Sequence, residues 1–283
     1  MDSRLRGNDI NMQTITAVIP AKNEEKNIER CVSSVSWCDK VLVISTGTDQ
    51  TAEIARRLGA EVVEKNKSDN DDFEDVQKNL NWAIKNCSTD WILRIDADEV
   101  VTEELKVEIR DIIRQSQIKS DKIGKGTDFI RLNPISSDYI VGYGIPRTPN
   151  FLGTFLKGGD WAYDRLVRLF RPKFCRYDPI VKVHEQFKVN GKIGYLKSSL
   201  LHYSHPDKKT LFKKFDSYTT LEARELKETK LSAFFKLIFI PPYIFLRWMI
   251  YHHGYRDGWV GVQAGAMRAY YDFLLYSKFL QLR

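Results

Sequence analysis

Apolar residues in the first third of the chain recur in two rhythms. Ile15-Thr16-Ala17-Val18-Ile19-Pro20 is a nearly continuous apolar run of strand length, stopped by proline. After the polar stretch Ala21-Lys22-Asn23-Glu24-Glu25, Ile28, Val32 and Val35 recur at helical spacing, with Trp37 near the end. Lys40–Ser45 holds a second apolar run, Val41-Leu42-Val43-Ile44. The hydroxyl-rich loop Ser45-Thr46-Gly47-Thr48-Asp49 ends in an N-cap candidate, and the helix it opens, from Gln50 to Leu58, stops at Gly59. Glu61-Val62-Val63 is a third strand, and a polar loop covers 66–72. A helix from about Phe73 to Lys85 carries Val76, Leu80 and Ala83 as its apolar face, with Gln77 and Asn79 away from it. Trp91 to Ile95 is a fourth apolar run. Thr102 then caps a helix with Glu103 and Glu104 in its first turn and Leu105, Ile109 and Ile112 inside.

Strand and helix therefore alternate. That order predicts an α/β fold, a mostly parallel sheet flanked by helices on both faces, with ligands at the carboxyl ends of the strands. The chain has no GxGxxG and no GxxxxGK[ST], so neither a dinucleotide fingerprint nor a P-loop is present.

The second half reads differently. Trp161 to Phe170 alternates like a strand, with Arg165 and Arg168 inside it, either pairing phosphate or facing solvent. Val183-His184-Glu185-Gln186-Phe187 precedes Asn190-Gly191, a dipeptide that predicts a hairpin, and another apolar strand ends at Leu201–His205. Residues 207–230 are lysine-rich and helical in pattern. The aromatic, apolar run 233–250 is nearly long enough to span a bilayer at about 20 residues. Lys236, Arg247 and a predicted break at Pro241-Pro242 favour an anchor lying in an anionic lipid interface over a clean span; the alternative is a packed core helix pair. Tyr255 to Leu282 closes the chain with aromatics at helical spacing.

Charge sharpens this division. Residues 1–146 carry 20 Lys and Arg against 26 Asp and Glu, and residues 147–283 carry 24 against 11. A front half of net −6 and a back half of net +13 point the back half at something anionic. Its aromatics cluster in apolar runs and do not interleave singly with the basic residues, which argues against nucleic acid. Cys31, Cys38, Cys87 and Cys175 form no CxxC pair and read as reduced thiols. The polar leader 1–13 contains no apolar h-region and is expected to lie outside the fold.

Candidate chemistry centres on Trp91-Ile-Leu-Arg-Ile-Asp96-Ala97-Asp98-Glu99. A buried strand running into Asp-x-Asp places both acids at its carboxyl end, where they repel unless a cation lies between them. Oxygen ligands of this kind suit Mn²⁺ or Mg²⁺ shared with substrate phosphates; the alternative is an acidic turn opening the next helix.

Taken together, Val18-Ile19-Pro20-Ala21-x-Asn23-Glu24-Glu25, Thr48-Asp49-x-Thr51, Gln77-x-Asn79 and the Asp96-Ala97-Asp98-Glu99 strand resemble family-2 glycosyltransferases of the GT-A fold. The chain is similar in particular to the bacterial branch that builds lipopolysaccharide core. The resemblance covers about residues 14–280. It implies a Rossmann-like GT-A domain over 14–205, with a nucleotide-sugar half at 14–120 and an acceptor half at 121–205. A helical, membrane-associating extension follows at 206–283.

The resemblance further implies that Pro20, Ala21, Asn23, Glu24 and the loop after the second strand hold uridine, with Gln77 and Asn79 in reach of base or ribose. Asp96 and Ala97 would meet the ribose and Asp98 the metal. The family's acid at the end of the second strand is Ile44 here, leaving Ser45 or another neighbour to replace it. Glu185 is the expected base, with Asp160 in reserve. His184 and His202 would orient that base or add a metal ligand. Arg168 would pair with substrate phosphate.

The expected reaction moves a sugar, with inversion, from a nucleotide-sugar such as UDP-glucose to a lipid-linked or lipopolysaccharide-core acceptor. The expected place is the cytoplasmic face of the bacterial inner membrane, peripherally bound. No QxxRW motif marks a processive synthase. Another nucleotide-dependent transferase, or a non-catalytic binding protein using the basic half, are the alternatives.

Overall fold

The short apolar runs near the N-terminus lie side by side. The computed structural model describes residues 13–65, 73–122, 140–163, 165–177, 187–205 and 207–282. Its front part runs β1 (Ile15–Ala21), α1 (Ile28–Ser34), β2 (Lys40–Ser45), α2 (Thr51–Arg57), β3 (Glu61–Glu64), α3 (Phe73–Asn86), β4 (Trp91–Arg94), β5 (Glu99–Val101) and α4 (Glu103–Lys122). There follow β6 (Ile140–Phe151), β7 (Thr154–Phe155), β8 (Arg165–Phe170), β9 (Cys175–Tyr177), β10 (Phe187–Val189), β11 (Lys192–Tyr195) and β12 (Leu200–His205). Three helices close the chain: α5 (Lys208–Glu225), α6 (Lys230–Leu246) and α7 (Gly258–Leu282).

The chain divides into two compact units, and not by one cut after residue 205. Unit 1 holds residues 1–146 and 165–200, and unit 2 holds 147–164 and 201–283.

In unit 1 the sheet runs in the order β3-β2-β1-β4-β8-β6. β1 pairs in parallel with β2 and β4, and β2 with β3, while β8 is antiparallel to both β4 and β6. Strand alternation assigns the two faces. Ala17, Ile19, Val43, Trp91, Leu93 and Ile95 pack with α1 and α4 through Ile28, Val32, Leu105 and Ile109. Val18, Ile44 and Ile92 pack on the opposite side with Leu80 and Ala83 of α3. Covered on both faces, these strands are expected to be mostly apolar, as their sequence is. The parallel set ends its strands at residues 21, 45 and 94, so the loops that follow them emerge along one edge.

Unit 2 is built around Trp248. Its ring lies edge-on to Trp161 at 5.0 Å between centroids, and its Nε1–H donates to the Gly261 carbonyl at 3.0 Å. A Cβ added at Gly159 or Gly254 would meet the Trp248 ring at 2.2 or 2.4 Å, so only glycine fits there. α6 packs its Ala233 against Leu275 and Phe279 of α7.

Three expectations are corrected. Trp161 to Phe170 is not one strand. Asp160–Tyr163 is a 3₁₀ turn and the strand starts at Arg165, because Trp161 turns into the aromatic contacts with Phe151 and Trp248. Asn190-Gly191 does not join a hairpin with β11. β10 pairs instead with β9, closed by the Asn190 N–H to the Phe174 carbonyl at 2.8 Å, and β11 joins β6 in parallel. The glycine is needed for close approach, since a Cβ at Gly191 would lie 2.7 Å from Val141. Pro241-Pro242 does not break α6. The helix continues through both, with Ala233 and Ile244 buried on either side of them.

Candidate active site

The loops after β1 and β2 are laced together before any ligand is considered. Asn23 adopts a left-handed backbone with φ of 55°, which asparagine tolerates better than most residues. Its Oδ1 accepts from the Thr48 N–H at 2.9 Å. A Cβ on Gly47 would stand 2.5 Å from the Asn23 nitrogen, so the loop needs glycine. The Glu24 N–H donates to Thr51 Oγ1 at 2.8 Å, the Glu25 N–H to Asp49 Oδ2 at 3.0 Å, and the Thr46 N–H to the Ala21 carbonyl at 3.0 Å. Burial works against the Asp49 carboxylate, but hydrogen bonds from the Thr51 hydroxyl and N–H and from Glu25 outweigh it. They hold its pKa below the ordinary carboxylate value.

The end of β4 carries a buried charge cluster. Asp96 Oδ1 pairs with Arg94 at 2.9 Å and Oδ2 with Arg168 at 2.5 Å. The same Arg168 nitrogen reaches Glu99 at 3.0 Å, and both side chains are 0% exposed. Glu99 also accepts from the Asp96 N–H at 2.8 Å. Asp96 keeps 29% of its side chain exposed, so it is the member that faces outward.

Cys31 reports what converges here. Its thiol donates to the Asp96 carbonyl at 3.4 Å. Burial first, then the charges of Glu99, Asp96, Asp98 and Glu24, push its pKa well above the usual thiol value.

Sequence-marked residues fall into groups. Pro20 is half-buried and Ala21 buried at the end of β1, opposite Ile44 and Ser45 of β2. Ile44 sits in the core with Val18, Leu80, Ile92 and Phe170, so its side chain offers nothing to a base, while Ser45 is buried at the strand end. Ala97 is buried in the first core cluster. Gln77, expected on the polar side of its helix, is buried, and Asn79 is half-buried. Arg168, expected to meet phosphate or solvent, is an internal partner of Asp96 and Glu99. His202 is half-buried on β12 in unit 2, and Asp98 belongs to unit 1. Asp160 lies in unit 2, 3.4 Å from Arg268. His184 and Glu185 lie outside the described residues.

Two residues were not singled out from the sequence. Arg94 reads there as one position of an apolar strand, yet it is the second cation on Asp96 and lies 5.9 Å from the Tyr177 ring. Asn81 brackets Tyr177, giving Nδ2–H to its carbonyl and accepting from its N–H, both at 2.9 Å. Its signal was available: Gln77 and Asn81 are four apart and share a helix face.

Among the described residues no three or more His, Cys, Asp or Glu side chains are grouped so as to hold a metal alone. The donor chemistry still fits Mn²⁺ or Mg²⁺. Such ions are bound through one or two carboxylates with diphosphate oxygens completing the shell, and a carboxylate such as Asp98 is a donor of that kind.

Comparison with known proteins gives the family. The profile described as "Glycosyl transferase family 2" matches residues 16–158. The chain is 27% identical over 270 residues to a lipopolysaccharide core biosynthesis glycosyltransferase, LpsC, of Rhizobium meliloti, covering 94% of this chain and 92% of that protein. It is 26% identical to an uncharacterized glycosyltransferase of Rickettsia typhi, covering 96% and 88%. Of solved structures, S. aureus TarS with UDP-GlcNAc has a TM-score of 0.46 at 14% identity, covering 93% of this chain and 81% of that one. With more than half of its length in the family profile, an α/β sheet of GT-A type and a helical C-terminal extension, the chain belongs to glycosyl transferase family 2 and is a glycosyltransferase.

Proposed function

We propose that this enzyme transfers a sugar, with inversion, from a UDP-sugar, UDP-glucose first, to a lipopolysaccharide-core or other lipid-linked acceptor. One observation carries the reading. Asp96 is fixed by two arginines at the carboxyl edge of the parallel strands, two residues before Asp98. With 29% of the Asp96 side chain exposed, a ribose hydroxyl can donate to the outward side of the carboxylate while the arginines hold it still. Pro20, Ala21, Asn23, Glu24 and Ser45 border the uridine, with Gln77 and Asn79 beyond them. Asp98 is the protein ligand of Mn²⁺ or Mg²⁺, and a metal bound there would offset the charge of the leaving diphosphate. His202 is held in reserve as a further ligand.

The chemistry is a single displacement. Glu185 takes the acceptor hydroxyl proton, the acceptor oxygen bonds to the anomeric carbon, and the bond from that carbon to the UDP oxygen breaks. Attack opposite the leaving group inverts the carbon. Supporting the acceptor class is the 27% identity to LpsC across nearly the whole chain.

The reading extends to the place of work, the cytoplasmic face of the inner membrane. α6 and the turn after it form a 22-residue apolar helix from Lys230 to Tyr251, of which only 17% of the most apolar window is buried. Leu231, Phe235, Phe239, Tyr243, Leu246 and Ile250 are exposed at helical spacing. The other face packs on α7, so lipid cannot surround the helix, and lying in the interface satisfies both faces.

Calorimetric titration of UDP-glucose and UDP, with and without Mn²⁺, tests the donor site. Metal-dependent binding is expected, with Asp98→Asn losing both the metal dependence and turnover while staying folded. Metal-independent turnover by Asp98→Asn would sink the assignment. Glu185→Gln should lower turnover by about 10²–10⁴ with donor affinity kept.

A further inference from the structure

In unit 1 one aromatic ring is exposed and yet held. β11 pairs in parallel with β6, setting Gly194 beside Tyr143 and Tyr195 beside Gly144. Each tyrosine leans over the glycine of the other strand. A Cβ at Gly144 would stand 2.7 Å from the Tyr195 ring, and one at Gly194 2.7 Å from the Tyr143 ring. Strand alternation sends the two rings to opposite faces. Tyr143 packs on the first core cluster, its ring 6.1 Å from that of Trp91. Tyr195 points the other way and is 62% exposed. The backbone after it is tied down. Leu196 is buried and donates its N–H to the Gly144 carbonyl at 2.9 Å. The Lys197 and Ser198 N–H groups donate to the Glu108 carboxylate at 2.9 and 2.8 Å.

A single exposed aromatic is ordinary. What sets this one apart is its place and its neighbour. β8 runs antiparallel to β4, with Leu169 opposite Leu93, so its first residue, Arg165, lies past the end of β4 on the edge that carries Asp96. β6 runs antiparallel to β8, and β11 runs parallel to β6, so β11 ends at Tyr195 toward that same edge. The Arg165 guanidinium carbon is 5.9 Å from the Tyr195 ring centroid, bordering the ring without covering it. From β4 through β8 and β6 to β11 is three strand spacings, about 14 Å. That is within the length of a short oligosaccharide.

We propose that Tyr195 is a stacking platform for a sugar of the acceptor glycan, one removed from the sugar that receives the new bond. The acceptor is then an oligosaccharide and not a single sugar. The proposal rests on the glycan-acceptor reading above and deepens it. A pyranose has an apolar C–H face rimmed by hydroxyls. Its C–H groups carry slight positive charge and meet the negative face of an aromatic ring, removing apolar surface from water on both sides. Arg165, beside the ring, donates to the rim hydroxyls. Because the Tyr195 backbone is already fixed, little ordering is lost when the sugar arrives.

The test uses the full-length protein, with lipid-free lipopolysaccharide-core oligosaccharide and methyl glucoside as probes. Binding is read by saturation-transfer NMR and calorimetry, and UDP-glucose with Mn²⁺ is titrated into the same samples. Tyr195→Ala removes an exposed ring, so its Tm should match that of the wild type, and Tyr195→Phe keeps the ring without its hydroxyl. The oligosaccharide should bind the wild type more tightly than methyl glucoside. Tyr195→Ala should raise its Kd, and the acceptor KM, by at least about fivefold, with kcat and UDP-glucose affinity unchanged. Tyr195→Phe should behave as the wild type. Four results overturn the proposal. They are no oligosaccharide binding by the wild type, unchanged binding in Tyr195→Ala, an equal loss in Tyr195→Phe, and a loss of UDP-glucose affinity in Tyr195→Ala, which would make the ring part of the donor site. A wild type that binds the oligosaccharide through Tyr195 but not UDP-glucose would instead strike the donor assignment and leave the platform standing.

Discussion

Unit 1 hides charge and unit 2 displays grease. In unit 1, Arg168 and Glu99 are 0% exposed in a largely apolar sheet. In unit 2, Phe239 is 62% exposed and Ile250 68%, on a helix with an apolar run long enough to span a bilayer. Each inverts the ordinary rule that apolar groups go inside and charges outside. The inversions have opposite energetics. A buried ion cluster is held only by mutual satisfaction, so it collapses when one member is removed. An exposed apolar stripe contributes nothing to the fold and can be altered without harm to it. The first kind of exception fixes an atom in space, and the second leaves a surface available to a partner.

The sharpest way to break this contrast is Arg168→Met. Asp96 and Glu99 then lose their shared cation, and stability should fall by about 3–5 kcal/mol, read from urea unfolding. Arg168→Met with Glu99→Leu should recover much of that loss, because the second change removes the carboxylate left unpaired. Additive losses would mean that the two side chains are not one energetic unit.

On the exposed side, Phe235→Ser with Phe239→Ser should leave the urea midpoint where it was. It should reduce binding to phosphatidylglycerol vesicles by about tenfold or more, since each ring moved from water is worth about 1.5–3 kcal/mol. A variant that unfolds more easily would place these rings in the core. One that binds vesicles as before would remove α6 from the membrane reading.

How much of this was legible from the residues differs between the units for the same reason. The strands of unit 1 are buried on both faces, and such strands announce themselves as apolar runs; Ile15 to Pro20 and Trp91 to Ile95 needed no partner to be seen. The Asp96 and Asp98 positions follow from where those runs stop. What the run of residues does not carry is pairing. Arg168 meets Asp96 across 72 positions of chain, and an arginine in an alternating strand gives no sign of which carboxylate it will find. Tertiary packing also redirected local signals. Asn190-Gly191 is a hairpin dipeptide used to bring backbone against Val141, and Pro241-Pro242 is a helix breaker overruled by packing along α7. In unit 2 the apolar run was plain to read, but whether it faced a core or a surface required the structure.

The smallest effect tests whether the loops after β1 and β2 share the charged wiring of the buried cluster. Asp49 accepts from the Thr51 hydroxyl at 2.5 Å, the Thr51 N–H at 3.0 Å and the Glu25 N–H at 3.0 Å, and its folded pKa lies below the ordinary 3.8. A carboxyl with a depressed folded pKa stabilises the fold in its ionised form. That contribution is complete above the unfolded pKa and is lost as pH falls below it toward the folded value. Asp49→Asn keeps the shape and an acceptor oxygen but not the charge. Its urea midpoint should therefore lie below that of the wild type at pH 7, and the gap should begin to close only as pH falls below about 4. A gap that stays constant down to acid unfolding would mean that geometry alone, and not the ionised carboxylate, ties the loop after β2 to the loop after β1.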